Sequence, residues 1–429
     1  MTLTTAAPPL LSPVVQQHAL SIIAEVAADK LAELRSLLQE IGNDIRGNGH
    51  IRFAALSTTH FCRFVILPAS ADLGITASLA FESNFDGDLD VHVEELIAAG
   101  SGVTQIFGYC VGFPSSAAPA EVKAFLLGKQ IPVAAFYMGH RGLSLRWIRN
   151  DIEVRNEVER YLDSLPSNSG QSSDATTVRV GAQQHLANRP QLSTERFDRG
   201  LRSAWSALPF VAIGIILAIG LLPLTILILA SFAIALRWRE KRDPSDGLQT
   251  TFSISNLVDL EDRVIQNQLT HLVPLKPGLF RLWTLRIVLW AIDRLAEYKF
   301  NKGDLGGIPS IHFARWSIID GGRRLLFFSN YDGSWENYLG DFIDKANRGL
   351  TAVWSNTAGF PPTRWLVGQG AIHEEQFKQW TRMHQLPTQV WYSAYPDQTV
   401  QNILDNCQVR QGVGAPLSRR EVAAWLDKL

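Results

Sequence analysis

Residues 311–333 read IHFARWSIIDGGRRLLFFSNYDG, and the first half of the chain carries the same pattern in two pieces, THFCRF at 59–64 and FESNFDG at 81–87. In the longer stretch, two runs rich in aromatic and β-branched residues meet at Asp320-Gly321-Gly322, a strong turn signal. It therefore reads as a hairpin of His312–Ile319 with Arg323–Asn330. The correspondence continues along the chain. Gly112-Phe113-Pro114 answers Gly359-Phe360-Pro361, and Ile131-Pro132 with Tyr137 answers Leu386-Pro387 with Tyr392. Matches in one order, at a period beyond a hundred residues, predict a duplicated domain and not a solenoid.

Around the hairpin, the second copy reads as strands Leu350–Ser355, Thr363–Val367 and Thr388–Ser393. A helix over Ser334–Ala346 sets Trp335, Tyr338, Leu339, Phe342 and Ile343 on one face, and another covers Glu374–His384. Without its first strand this order is β-α-β-β-α-β, the split βαβ plan of ferredoxin-like domains. The first copy is expected to place strands near His60–Leu67, Ala77–Asn84, Val103–Tyr109 and Pro132–Tyr137, and to lack a counterpart of Thr363–Val367. The fold class expected is α+β: two duplicated ferredoxin-like (α+β sandwich) domains separated by a hydrophobic membrane segment.

That segment, ALPFVAIGIILAIGLLPLTILILASFAIAL at 207–236, contains no charged side chain. At about 1.5 Å per residue a helix of this length can cross a bilayer core of about 30 Å. Arg196, Arg199 and Arg202 precede it, and Arg237, Arg239, Lys241 and Arg242 follow it. Basic residues on both flanks predict both ends on the cytoplasmic side of a bacterial inner membrane. Gly220-Leu221-Leu222-Pro223 breaks the run near its middle. Two arrangements remain, a re-entrant hairpin in one leaflet and a single tilted span kinked at Pro223.

The remaining divisions follow from composition. Residues 1–41 read as an N-terminal amphipathic helix, with Leu20, Ile23, Leu31, Leu34, Leu38 and Ile41 on the apolar stripe of Val14–Ile41. The first copy spans 42–163, and a polar linker spans 164–206, flexible over Ser164–Glu195. The membrane segment is 207–236 and a connector is 237–278. A helix over 279–300, with Trp283 and Trp290 among Arg281, Arg286 and Arg294, suits either a membrane surface or a buried domain joint. The second copy spans 301–415. The capping box Ser418-Arg419-Arg420-Glu421 opens a C-terminal helix within 416–429.

With 40 Lys and Arg against 41 Asp and Glu, the net charge is −1, so no global field favours nucleic acid. Cys62, Cys110 and Cys407 are odd in number and far apart, which points to a reducing compartment and offers no CxxC metal site. No metal is assigned. Walker A, GxGxxG, HExxH and GxSxG motifs are absent from the sequence.

The candidate catalytic groups are His312, Arg315, Asp332 and Tyr392, with first-copy equivalents His60, Arg63, Asp86 and Tyr137; Asn330 and Trp391 are candidate ligand-binding groups. On a strand, His312 and Ala314 face one way, Phe313 and Arg315 the other. An imidazole there serves as acid/base or haem ligand, or else as a satisfied structural histidine. Asp332 stands where a strand ends and a helix begins, so it is either a functional carboxylate or a helix cap beside a positive-φ Gly333. Tyr392 and Tyr395 are redox or hydrogen-bonding groups, or half-buried strand residues.

The stretches IHFARWSIIDGGRRLLFFSNYDGSWENYLGDFIDKA and LPTQVWYSAYP resemble a widespread group of uncharacterised bacterial membrane-attached proteins, over most of 260–412 and more weakly 50–140. More remotely, two ferredoxin-like units in one chain are similar to the dimeric α+β barrel superfamily, which includes dye-decolourising peroxidases. That resemblance implies haem, an Asp in a GxxDG motif, an Arg and a proximal His. Here the pattern is Ser329-Asn330-Tyr331-Asp332-Gly333, with Ser for the leading Gly, and no downstream His or Arg is assigned by motif. The first expectation is a membrane-attached protein binding a hydrophobic or redox-active small molecule at the membrane face. The alternatives are a haem-dependent peroxidase-like oxidoreductase, with His312 or His60 near iron, and a non-catalytic scaffold for a partner protein. Expected partners are membrane lipid and a hydrophobic small molecule, not nucleic acid, with a homodimer left open.

Overall fold

The computed structural model describes residues 15–165, 175–243, 261 and 263–429. Strand β1 (Gln17–Glu25) leads through α1 (Leu31–Asn43) to the hairpin β2 (Thr59–Leu67) and β3 (Ser78–Asp86). Helices α2 (Leu89–Ala98), α3 (Gly102–Phe107) and α4 (Pro119–Gly128) follow, then β4 (Ala135–Met138), α5 (Leu145–Asp163) and α6 (Ala175–Ala187). The apolar segment forms α7 (Leu208–Gly220) and α8 (Leu222–Glu240). The second half runs β5 (Gln266–Pro274), α9 (Leu279–Tyr298), β6 (Ile311–Ile319), β7 (Arg324–Asp332) and α10 (Trp335–Trp354). A small hairpin of β8 (Thr363–Arg364) and β9 (Gly368–Gln369) precedes α11 (Glu374–His384), β10 (Val390–Ser393), α12 (Val400–Gly414) and α13 (Arg419–Leu426).

Two four-stranded antiparallel sheets result, in the orders β1-β3-β2-β10 and β5-β7-β6-β4. Their registers correspond: Gln17 lies opposite Asp86 as Gln266 lies opposite Asp332, and a bulge sits at Thr59/Phe61 as at Ile311/Phe313. The fourth strand of each sheet comes from the far half of the chain. Trp391 pairs with Arg63, and Phe136 pairs with Arg315.

The sheets face each other through Val65, Leu67 and Ala80 on one side and Leu272, Ile319, Leu326 and Phe328 on the other. The outer face of the first sheet is covered by α1 to α4 around Leu34, Val93, Ile106 and Val122; that of the second by α9 to α11 around Leu285, Phe342 and Trp380. Helices α5, α6, α12 and α13 form a further apolar cluster around Val154, Val409 and Trp425.

Several expected elements differ. Within the stretch taken as a helix ahead of the first copy, Gln17–Glu25 is a strand and the helix is confined to Leu31–Asn43; Val14 lies outside the described residues. Leu20, Ile22 and Ala24 alternate into the helix-covered core while Ile23 joins the contact between sheets, so both faces are apolar and the period of two is masked. The connector 237–278 likewise contains β5, with residues 244–260 outside the described set. Leu350–Ser355 continues α10 up to Trp354, and Val103–Tyr109 overlaps α3: short apolar runs fit a buried helix as well as a strand. Thr363–Val367 contributes only a two-residue strand of a local hairpin. The polar linker contains α6, which buries Ala182 and Leu186; residues 166–174 lie outside the described set.

Candidate functional site

At the centre of the space between the sheets, Arg63 on β2 and Arg315 on β6 reach across in opposite directions. Arg63 donates to Leu269 O at 3.0 Å, Ser329 O at 3.0 Å and Asn330 Oδ1 at 2.5 Å on the second sheet. Arg315 donates to Leu20 O at 2.7 Å and Ser83 O at 2.7 Å on the first. Both guanidiniums pair with the buried Glu82, and Asn330 Oδ1 also accepts from Trp391 Nε1 at 2.9 Å. Burial lowers the pKa of both arginines against the pull of Glu82, Arg315 to about 10. Arg63, Arg315, Asn330 and Trp391 are therefore brought together. Their hydrogen bonds join the sheets, and Arg315 Nε alone of the two guanidiniums' nitrogens is left without a partner among the described residues.

At one end of the same interface lie the histidines. Asp86 accepts from His60 Nε2 at 2.9 Å and from Leu145 N, at the start of α5, at 2.6 Å. Asp332 accepts from His312 Nε2 at 2.7 Å and from Val400 N, at the start of α12, at 2.8 Å. Each carboxylate thus ties a strand end to the first turn of a helix, where a negative charge suits the helix dipole. Asp332 does not cap the helix that follows it, because Ser334 fills that role for α10.

Tyr395, read from the sequence as a hydrogen-bonding group, completes this cluster together with His140 and Gln17, which the sequence did not single out. Tyr395 Oη lies 2.9 Å from His60 Nδ1 and 3.1 Å from His140 Nε2, and His140 Nδ1 lies 3.3 Å from Gln17 Nε2. Asp86 only accepts when ionised, so His60 carries its proton on Nε2 and takes one at Nδ1 from Tyr395. Tyr395 then accepts from His140 Nε2–H, and His140 Nδ1 accepts from the Gln17 amide. Burial and the nearby His60 and His312 hold His140 well below the usual imidazole range; burial and the charges of Asp86 and Asp332 hold the Tyr395 phenol well above its own. One directed chain, Gln17 to His140 to Tyr395 to His60 to Asp86, satisfies these groups. His312 Nδ1 has no partner.

Tyr392 and Tyr137 do not join the cluster. Tyr392 stacks on Phe53 at 5.1 Å in the core under the first sheet, and Tyr137 is buried in the core under the second. On a strand they face away from the interface that Trp391 and Phe136 enter.

A haem ligand needs a free imidazole nitrogen beside an open slot. His60 and His312 are fully buried, and their rings are walled in by Phe313 at 5.5 Å from His60, Phe61 at 5.2 Å from His312, and His140 at 5.4 and 5.7 Å from the two. The residues present do not fit a haem. Among the described residues no three His, Cys, Asp or Glu side chains are grouped to hold a metal ion.

An open site lies elsewhere. Helices α9 and α10 and the loop before β6 enclose a groove of about 420 Å³ lined by Ile292, Leu295, Phe300, Phe342, Ala346 and Leu350. Ala346 leaves helical geometry (φ −129°, ψ 18°), kinking α10 along the groove. Trp316, at the groove, is buried with its Nε1 unpartnered. Lys345 and Arg348 add cationic groups to the lining. The opposite side of α9 is apolar and open, with Trp283, Ile287 and Trp290 at 56%, 61% and 64% exposure. Among the described residues α8 is the one helix long and apolar enough to cross a membrane. The chain matches no protein-family model, no curated protein and no solved structure.

Proposed function

We propose that this protein is attached to a membrane through its apolar segment and binds a hydrophobic small molecule in the groove between α9 and α10. One observation carries the reading: α9 lines an apolar groove with Ile292 and Leu295 while offering solvent the stripe Leu279, Trp283, Ile287 and Trp290. Exposed apolar area of this kind marks an interaction site, and a stripe with Trp and Arg suits the bilayer interface. The groove volume is that of a small-molecule site, with few polar groups to orient the occupant. The basic flanks favour the cytoplasmic face. We further take the two halves as duplicated ferredoxin-like units with exchanged last strands, a view supported by the shared β-α-β-β-α-β order and register.

The test extracts the full chain from its membrane in polymer-bounded discs and compares bound amphiphiles by mass spectrometry with those of Ala346→Trp, which fills the groove. A hydrophobic compound enriched over bulk lipid in the native protein and lost in the folded variant supports the reading. Identical profiles remove the groove as a binding site.

A further inference from the structure

We propose that the segment 208–240 enters one leaflet and turns back without crossing, so that the protein docks on a single anionic membrane face; this rests on the membrane attachment proposed above. Both ends of the segment are fastened to the same helix. At the C-terminal end of α9, Arg202 pairs with Glu297 at 2.7 Å and donates to Tyr298 Oη at 3.0 Å, and its carbonyl accepts from Asn301 Nδ2 at 2.7 Å. At the N-terminal end, Phe232 stacks on Phe280 at 5.3 Å, Arg239 lies over the same ring at 5.0 Å, and Asp243 pairs with Lys276 at 2.8 Å and with Arg281. A span would carry these two anchor points to opposite sides of the bilayer. Here they are about 26 Å apart along one helix.

Length points the same way. The 13 residues of α7 extend about 20 Å, and α8 from Leu222 to its contact at Phe232 about 16 Å, both short of a core of about 30 Å. The bend is built in: Leu221 leaves helical geometry (φ −106°, ψ 27°), and Pro209 and Pro223 each fall in a first turn, where the missing N–H costs nothing. A bend inside hydrocarbon needs its backbone satisfied. Leu221 N donates to Leu217 O at 3.0 Å, Thr225 N to Leu221 O at 2.9 Å, and the Thr225 hydroxyl to Ala218 O at 3.2 Å. No residue of α7 is buried by the rest of the chain.

The rim fits headgroups. Exposed Trp238, Trp283 and Trp365 each carry an arginine over the ring: Arg242 at 3.9 Å, Arg286 at 4.8 Å and Arg237 at 5.9 Å. Trp365 and Leu366 adopt left-handed backbone (φ 56° and 68°), held there by the buried Glu240 carboxylate, which accepts from their N–H groups at 3.0 and 2.8 Å. Strain retained in this way turns an exposed Trp toward the foot of α8. Tryptophan paired with arginine is the composition of an anionic interface.

The test uses single cysteines in the full chain at Ser203, Leu221 and Lys241, with an impermeant maleimide applied to sealed vesicles of each orientation. The native cysteines are buried. The expected result is labelling of 203 and 241 from the same side, and labelling of 221 from neither side until detergent is added. Labelling of 203 and 241 from opposite sides, or of 221 from the face opposite 203, overturns one-leaflet insertion. Recovery of the chain in the soluble fraction after cell breakage would instead overturn membrane attachment itself. Retention in carbonate-washed membranes with opposite-side labelling overturns this inference alone.

Discussion

Arg315, on the second sheet, stands 2.9 Å from a carboxylate oxygen of Glu82 on the first, and Arg63 takes the other oxygen. Two cations share one anion at the centre of the molecule. The register explains the asymmetry: Glu82 lies opposite Arg63, whereas Phe328 lies opposite Arg315. Glu82→Ala strands two buried guanidiniums and should cost about 3–5 kcal/mol. Replacing Arg63, Glu82 and Arg315 together by methionine should cost much less, because no buried charge is left unpaired. Guanidinium unfolding of the detergent-solubilised variants checks the order; a single variant as stable as the wild type would show that the cluster does not join the sheets.

Asp332→Asn should lose about 1–3 kcal/mol, since the amide oxygen can still accept from Val400 N but its NH2 meets His312 Nε2, which accepts only if the His312 proton moves to the buried, unpartnered Nδ1. Asp86→Asn should add a spectroscopic signature. With Asn at 86 donating to His60 Nε2, the His60 proton moves to Nδ1 and is donated to Tyr395 Oη, while His140 keeps its proton on Nε2 because Gln17 donates to its Nδ1. Nitrogen-15 histidine spectra of the two variants test this, with the tautomer change expected for Asp86→Asn and no change at His60 or His140 for Asp332→Asn.

The hairpin over 311–333 was legible because its turn and its aromatic and β-branched strands are local signals. So were α11 and the capping box at Ser418. Strands β1 and β5 were not, because burial on both faces removes the alternation that marks a strand. The pairing of β10 with β2 and of β4 with β6 had no local signal either, since pairing of Trp391 with Arg63 depends on contacts across more than three hundred residues. One route was open. The match of Tyr137 with Tyr392 has the spacing that, three residues further on, also aligns His140 with Tyr395, already a candidate hydrogen-bonding group in the sequence, and so points to His140 as its partner.

Acid should destabilise the fold through its histidines. Burial pushes His92 down to about 3, and it also lowers His140, His271 and His384. In the unfolded chain these groups titrate near 6.5. As pH falls through that value the unfolded state takes up protons that the folded state refuses, so stability is full above about pH 6.5 and declines below it, for His92 down to about pH 3. His92 loses about 1 kcal/mol per pH unit in that window, and the other three act in the same direction. Unfolding midpoints between pH 7.5 and 5.5 should fall, and His92→Gln should make the decline shallower. A flat wild-type profile would contradict the burial of these imidazoles.

Removing the apolar segment should weaken membrane binding without abolishing it. Because the anchor points on α9 lie about 26 Å apart, residues 207–236 cannot simply be cut out; a 12-residue Gly/Ser linker, reaching up to about 40 Å, closes the gap. The product keeps the α9 stripe of Trp283, Ile287 and Trp290, with Arg286 over Trp283. It should therefore bind vesicles containing phosphatidylglycerol and leave neutral phosphatidylcholine vesicles largely free, because an interfacial helix draws affinity from both apolar area and anionic lipid. Raising the salt should release it, since exposed charges are screened within about 8 Å at physiological ionic strength and less above it. Adding Trp283→Ser and Trp290→Ser to the linker form should abolish cosedimentation with vesicles of either composition. If the linker form with both tryptophans intact already stays in solution with anionic vesicles, α9 is not a membrane surface and its exposed face serves another contact.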